Sequence, residues 1–581
     1  MNATGIATGI LLMLLWLLPS GVPLLLSIAL APRRLRPLAE YLAPLAALPA
    51  FLIAVFARPG SVVEVPLLLG IRLGLTGTTQ LFLLFSAGLW LLAGLYARAY
   101  LEDDPTSGRF FGFFLATMAG NLGLIVARDV VSFYLFFILM SFAAYGMIVH
   151  DRTPRAFRAG RVYVVFVVIG ETFLLPAMIL ISVAAGAYRL EEVPAAVAGS
   201  PLQGLIVFLL FAGFGTKVGV LLLHFSLPLA YPASPPPAGA ALGGPMIKAG
   251  LLGWLIFLPV GETGTTLWGT VVAVFGIAAA FYGVVVGLTQ RTPGTVLAYS
   301  SISQMGWITA ALGIGLLSSE AWPVALVAIL VYAAHHALAK SSLFLGLGVA
   351  RRARNTRARR LALGGLLVGA LALAGAPLTS GAVAKYFLKE ATGTTPGSWP
   401  VALEALLQIG AIGTTLLMGR FLFAVRPGSE AGKLSAGLWL PWVAQLALVT
   451  AGILMLPGGP LTAIGLTLSF STFWPLAAGV LLIFGYLRLR QRTGIGTGPR
   501  IPEGDLLVPF VRLLEHARRA WNNNVYPSNG TPRRYNSQNG SYGSGAGTGL
   551  IQVETSLRYW AVAGTLFVML VVVLVVLVGV L

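Results

Sequence analysis

Four lysines stand where a lysine is costly: Lys217, Lys248, Lys340 and Lys385 lie inside apolar runs that otherwise read as membrane spans. An ammonium near the centre of a bilayer costs about 2.5–3.5 kcal/mol on insertion scales, so it persists only where it faces protein or water. Burial also disfavours the charged form of an amine, which makes its proton exchangeable near neutral pH. His224 and His336 share segments with these lysines, and Glu171 places a carboxylate in another apolar run. Bases of this kind, linked by water, pass protons by successive charge displacement. Proton movement through the membrane is the chemistry these residue types point to.

The stretch that must position the first two amines runs from Phe214 to Leu255. Between Lys217 and Lys248 it carries His224 and a proline-rich run from Pro228 to Pro237, which includes Pro235. That run predicts a broken helix. Irregular backbone at membrane depth is tolerated only inside protein or beside a wet cavity. Pro377, shortly before Lys385, predicts a second break. Lys389 is placed near a helix end, where snorkelling to the headgroups competes with a role on the path.

Composition sets the class. The 581 residues are 57% hydrophobic and only 10% charged, against about 25% charged in soluble domains. The chain is therefore read as an all-α polytopic membrane protein of about 14–16 transmembrane helices. No cysteine is present, which excludes disulfides, thiolate-held iron–sulfur clusters and Cys-based zinc motifs. No cofactor is expected in this chain. The net charge of +19 sits in short clusters between apolar runs, so it reads as topology signal and anionic-lipid contact. Nucleic acid is not an expected partner, because no aromatic-interleaved basic platform accompanies the charge.

A first span from about Gly9 to Leu30 lacks a basic leader and a cleavage site, and reads as a retained helix. Arg33, Arg34 and Arg36 follow it, placing the N-terminus outside. Alternation from there puts Arg152 to Arg161, Arg351 to Arg360 and Arg488 to Arg492 inside, in the plasma (inner) membrane of a prokaryote. Residues 1–108 read as N-terminal spans, 426–490 as C-terminal spans, 491–556 as a cytoplasmic segment and 557–581 as a last span. The 491–556 segment opens with an amphipathic helix from Asp505 to Trp521 and continues as a low-complexity linker. Gly545 to Gly549 has no preceding strand and is linker glycine rather than a nucleotide loop. Asn529-Gly-Thr531 is a sequon on the expected inside. His335-His336 lacks a carboxylate or thiolate at ligand spacing and reads as core or relay rather than metal site.

Taken in order, these segments resemble the proton-translocating antiporter-like family. It includes the large membrane subunits of complex I, Mrp-type antiporter subunits and hydrogenase-4 or formate-hydrogenlyase membrane subunits. The pattern here is Lys217, His224, Leu227-Pro228, Pro235, then Met246-Ile-Lys248-Ala-Gly250. Leu297 to Gly306 (LAYSSISQMG) resembles the family's next signature, and His336 to Lys340 the one after. Gly375-Ala-Pro377 with Gly381 and Lys385 resembles its second broken helix. Arg158 to Tyr163 with Gly170-Glu171 looks most like the hydrogenase-4 branch. The resemblance implies two inverted five-helix repeats, here 109–260 and 261–425, each with a broken helix. It also implies a path through Lys217, then Lys248 and Lys340, then Lys385, with other membrane and peripheral subunits as partners.

Departures matter as much. Where the family carries a glutamate that pairs with its first lysine, this chain has Ile138. Glu171, at comparable depth, is the candidate replacement. Thr292 and Gly294 stand for the family's Asp and Lys, and Ser226 for its Trp. The reading these features favour is a proton-translocating membrane subunit of a multi-subunit energy-coupling complex, moving protons along a buried Lys/His/Glu relay. The alternatives are a Na+/H+ antiporter subunit of an Mrp-like assembly, a proton-driven energiser of inorganic-carbon uptake and a non-conducting structural subunit.

Overall fold

The computed structural model describes residues 3–65, 71–183, 186, 188–262, 265–397, 399–452, 470–493 and 501–504. The chain divides into two units, Met1–Glu503 and Gly504–Leu581. Of the second only Gly504 is described, so the expected amphipathic helix from Asp505 to Trp521 and the expected last span lie outside the described residues.

The first unit is nearly all helix. It opens with α1 (Ala3–Ala29), α2 (Arg36–Leu42), α3 (Leu48–Phe56), α4 (Gly77–Tyr100), α5 (Ser107–Val126), α6 (Val130–Ile148) and α7 (Pro154–Val183). Then come α8 (Val193–Gly199), α9 (Gln203–Val218), α10 (Ser226–Ala233), α11 (Pro236–Ala241) and α12 (Ile247–Phe257). The array continues with α13 (Thr266–Thr289), α14 (Pro293–Leu317), α15 (Trp322–Arg352), α16 (Thr356–Ala374) and α17 (Ser380–Gly393). It closes with α18 (Trp399–Ala424), α19 (Ala436–Ala451) and α20 (Phe470–Thr493). Among the described residues, 12 helical segments are long and apolar enough to cross a membrane, and α9 and α19 are shorter apolar helices. The chain is an integral membrane protein.

One element departs from the all-helical expectation. Strands β1 (Val62–Val65) and β2 (Ile71–Gly74) pair antiparallel, with Glu64 opposite Arg72. Val62, Val63 and Val65 are β-branched and suit a pleated ribbon, and Arg72 Nε reaches Glu64 at 3.2 Å.

Helices 13 and 14 form the tightest pair, and glycine makes it so. A Cβ at Gly269, Gly276 or Gly283 of α13 would stand within 2.6 Å of α14 backbone atoms. Gly306 and Gly313 of α14 are crowded in the same way by α13. These glycines recur every seven residues, so two apolar helices meet backbone to backbone, as membrane helices do where no hydrophobic drive separates protein from lipid. The helix so fixed carries the serines of the 297–306 segment, and Ser300, Ser301 and Ser303 are all buried.

Two helices are interrupted in the same way. Helix α9 ends at Gly219 (φ 84°) and α16 at Gly375 (φ 80°), both left-handed. In each, the next residue's N–H reaches five residues back: Val220 to the Gly215 carbonyl at 3.0 Å, Ala376 to that of Leu371 at 2.9 Å. That is the Schellman closure, which satisfies carbonyls a broken helix would leave bare. Three residues beyond each glycine a leucine is also left-handed, Leu222 (φ 74°) and Leu378 (φ 63°).

The first interruption falls earlier than the proline run suggests. It occupies residues 219–225, whereas Pro228 lies within α10 and Pro235 precedes α11 at the α10–α11 connection. Pro377 lies within the second interruption. A third irregularity has no counterpart in the sequence reading: Leu242–Met246, with two glycines and Pro245, forms a π-helical turn directly before Lys248. Proline removes a backbone donor and the turn widens to accommodate that loss.

Candidate functional site

Lys217 sits in the last turn of α9, where carbonyl ends favour a cation. Its Nζ donates to the Tyr163 hydroxyl of α7 at 3.0 Å, and that hydroxyl donates to the Ser141 carbonyl of α6 at 2.9 Å. The amine also lies 5.0 Å from the Tyr163 ring centre and 5.9 Å from that of Phe137. An aromatic face attracts a desolvated cation by about 0.5–2 kcal/mol. Beside this cluster is a cavity of ≈ 30 Å³ lined by Tyr163, Lys217, Ser226 and Tyr231 among others. It is large enough for a water.

Glu171 lies two turns further along α7 and is buried. Tyr134 of α6 is close enough to act on its carboxylate, and Lys217 acts on it through charge. Among the described residues no ion pair joins Glu171 to Lys217. The carboxylate stands near the amine without touching it, and its Oε2 has no protein partner. Ile138, where the family has its glutamate, is partly exposed on α6.

The centre of the site is built from α12, α14 and α15. Lys248 Nζ and His336 Nδ1 are 2.6 Å apart and both side chains are fully buried. Either the amine donates to a bare ring nitrogen, or the imidazole donates to a neutral amine. In both cases one proton lies between two bases. His336 Nε2 is buried and has no protein partner. One turn along α15, Lys340 Nζ donates to the Leu297 carbonyl of α14 at 2.8 Å, and Ser301 Oγ donates to the same carbonyl at 3.1 Å. Ser300 Oγ and Ser303 Oγ are buried without a protein partner, which leaves polar atoms for water to bridge.

On the far side, His335 Nδ1 lies 2.8 Å from Ser380 Oγ at the start of α17. Lys385 of α17 reaches back across the second interruption and donates to the Ala374 carbonyl, the last of α16. Gly375 makes this reach available, since a Cβ there would stand 2.6 Å from the Lys385 side chain. Below it, Tyr332 donates to Gln304 Oε1 at 2.9 Å and Gln304 Nε2 donates to Thr414 at 3.2 Å. The polar atoms thus run from α15 into α14 and α18.

The structure gathers Lys248, His336 and Lys340 in one cluster, and places Lys217 and Lys385 at the two interruptions. Helix α12 meets α9 at Gly250, where a Cβ would stand 2.8 Å from the Phe214 carbonyl. No direct hydrogen bond joins Lys217 to Lys248 among the described residues. His224 lies in the first interruption, with its ring 4.5 Å from Phe225 and 5.1 Å from Tyr282. Lys389 pairs with Glu404 at 2.7 Å. Sequence reasoning gives no role to Tyr134 or Ser380, and it quotes Tyr163 and Gln304 only as parts of family-like segments. Their being polar within apolar runs is the signal that could flag them.

A sequence model of the family described as "NADH:quinone oxidoreductase/Mrp antiporter, TM" matches residues 127–395. That range holds Lys217, Lys248, Lys340 and Lys385. Over those residues, a little under half of the chain, the sequence is similar to this family. A probable K(+)/H(+) antiporter protein of Rhizobium meliloti is 31% identical over 343 residues, covering 56% of this chain and 33% of its own. Hydrogenase-4 component B of Escherichia coli is 27% identical over 319 residues, covering 52% and 48%. The chain therefore spans a third to a half of these curated relatives. The Mrp complex of Dietzia sp. has the same fold, with TM-score 0.71, 23% identity, and 95% of this chain and 63% of that one covered. The membrane-bound sulfane sulfur reductase, an archaeal respiratory complex, matches at TM-score 0.63 and 20% identity, covering 82% and 99%.

Proposed function

We propose that this chain is a proton-translocating membrane subunit of a multi-subunit energy-coupling complex. The observation that carries the reading is the fully buried Lys248–His336 pair at 2.6 Å. A buried charge without a counter-charge is costly, and a pair of bases sharing one proton is the arrangement that tolerates a second proton arriving and leaving. Lys217, with the cavity beside it, would load the path from one side. Lys340, with its carbonyl and the orphaned serine hydroxyls nearby, would carry it onward. His335 and Ser380 would connect to Lys385, and Glu171 would act as the carboxylate that biases Lys217. His224 is assigned to the same family segment and would serve the backbone break.

The side of Arg152–Arg161 and Arg351–Arg360 would face the cytoplasm of a prokaryote, with the N-terminus outside, and those arginines would meet anionic lipid. Partner membrane and peripheral subunits would supply the chemistry that drives the protons. Each proton crossing 100 mV exchanges about 2.3 kcal/mol with them.

The test is proton flux in vesicles holding this chain with its co-purifying partners. Lys248→Ala abolishes flux while the protein stays inserted, and Lys433→Ala, in an exposed loop, leaves it unchanged. Wild-type flux in Lys248→Ala overturns the reading. A second reading, exchange of K+ or Na+ against protons, is carried by the names of the antiporter relatives. A flux that requires the alkali cation would select it.

A further inference from the structure

Glu503 joins the ends of two helices that are far apart in the chain. Its Oε1 accepts from Thr292 Oγ1 at 2.8 Å and from Thr295 Oγ1 at 3.3 Å. Arg155 Nη2 reaches both carboxylate oxygens at 3.0 Å. Thr292 immediately precedes α14, Thr295 lies in its first turn, and Arg155 lies in the first turn of α7. Two residues before Glu503, the Ile501 carbonyl accepts from Gln290 Nε2 at 3.2 Å. The Gln290 carbonyl in turn accepts from Arg420 of α18 at 2.7 Å. The Arg155 and Glu503 side chains are 49% and 34% exposed, and an ion pair that open contributes little by itself. Gln290 and Thr295 are buried, so their bonds are what make the docking specific. Helix α14 also opens without an acidic residue in its first turn, and Thr292 makes no side-chain cap bond to it. A carboxylate is favoured beside the bare N–H groups of a helix start. Here it arrives from a residue 211 positions further on.

We propose that Glu503 is a positioning residue, which caps α14 from outside that helix and yokes it to α7. The yoke acts through what the two helices offer: α7 presents the Tyr163 hydroxyl to Lys217, and α14 presents the Leu297 carbonyl to Lys340. Tyr163 follows Arg155 by eight residues and Leu297 follows Thr292 by five, so each acceptor lies within about two helical turns of the tie. A polar segment beyond α20 thereby sets the spacing between acceptors on two separate helices. That these acceptors serve proton movement rests on the function proposed above. The tie itself does not.

The chain has no cysteine, so introduced pairs carry no background. Gln290 Nε2 bonds both the Thr289 hydroxyl and the Ile501 carbonyl. In inserted full-length Thr289→Cys/Ile501→Cys, a short bifunctional methanethiosulfonate therefore links the two positions, read by mass spectrometry of the joined peptides. Adding Glu503→Gln slows the linking by about two- to fivefold, and adding Glu503→Asp slows it less. Equal rates in the three discard the tie. Proton flux in vesicles with the co-purifying partners reads the positioning, and Glu503→Gln lowers it by a similar factor. Arg155→Cys/Thr292→Cys removes two donors to the carboxylate and lowers flux likewise. The bifunctional reagent then restores flux by joining α7 to α14, and a monofunctional one does not. Restoration after insertion separates positioning from folding. Flux that stays low once the two cysteines are joined overturns the positioning role. Should that pair fail to accumulate, Arg155→Gln, Glu503→Gln and their double variant are compared. The double variant loses no more flux than either single one when both act through one contact, and additive losses overturn the proposal. Linking that depends on Glu503 in a protein that moves no protons keeps the tie and rejects the proposed function.

Discussion

The two interruptions share a backbone and differ in where the lysine stands. Both close with a left-handed glycine, a Schellman bond and a left-handed leucine three residues later. In the first, Lys217 precedes the glycine by two residues, and its amine turns away from the break to the Tyr163 hydroxyl. In the second, Lys385 follows the glycine by ten residues and reaches back to the Ala374 carbonyl at the broken end. A helix C-terminus attracts a cation. So the same break supplies the second lysine with its acceptor, whereas the first finds its acceptor on another helix. The lesson is that the break is a reusable backbone device, and the side-chain partner decides what it does.

Substitution of the two glycines is the strongest way to break that comparison. An added Cβ at either position meets the left-handed penalty of about 1–2 kcal/mol. At Gly375 it also enters the space of the Lys385 side chain, at 2.6 Å. At Gly219 it meets the tip of Leu227 at 2.9 Å, a flexible group that can shift. Both variants lose similar thermal stability, but Gly375→Ala displaces Lys385 and abolishes flux as Lys385→Ala does, while Gly219→Ala keeps most of it. Equal flux in the two alanine variants erases the distinction.

Glu171→Gln asks what holds the first lysine in register. The carboxylate acts on Lys217 through charge without contact. At an effective dielectric near 20, a unit charge felt without contact is worth on the order of 1 kcal/mol. Flux falls about tenfold and its pH profile shifts. A variant with the parent pH profile removes Glu171 from the site.

Much of this is legible in the residues, and the rest is not for reasons that can be named. Lys217, Lys248, Lys340 and Lys385 stand out because an amine in an apolar run has few explanations. That most of the chain is built of membrane-spanning helices is readable for the same compositional reason. The position of the first break is not, because prolines draw attention to 228–237 while the chain turns at Gly219 and Leu222. Left-handed backbone at a leucine leaves no trace in composition. The pairing of Lys248 with His336 spans 88 residues, and only tertiary packing brings those two together. Likewise Tyr163 reads as one aromatic among many in α7 until α9 is laid against it.

Tyr163→Phe gives the smallest effect and sharpens the comparison most. It removes the acceptor of Lys217 and the donor to Ser141, yet keeps the ring under the amine. Losing one hydrogen bond to a charged group costs about 1.5–3 kcal/mol in a dry site, and less where water can replace the hydroxyl. The adjoining cavity of ≈ 30 Å³ has room for that water, so flux falls about fivefold, near 1 kcal/mol. Tyr163→Leu removes the ring as well and loses more than the phenylalanine variant. If the two fall equally, the hydroxyl alone holds Lys217 and the ring contributes nothing. If phenylalanine leaves flux intact while Ser380→Ala, beside the second break, lowers it, the first lysine needs no hydroxyl partner and the contrast between the two ends is overturned.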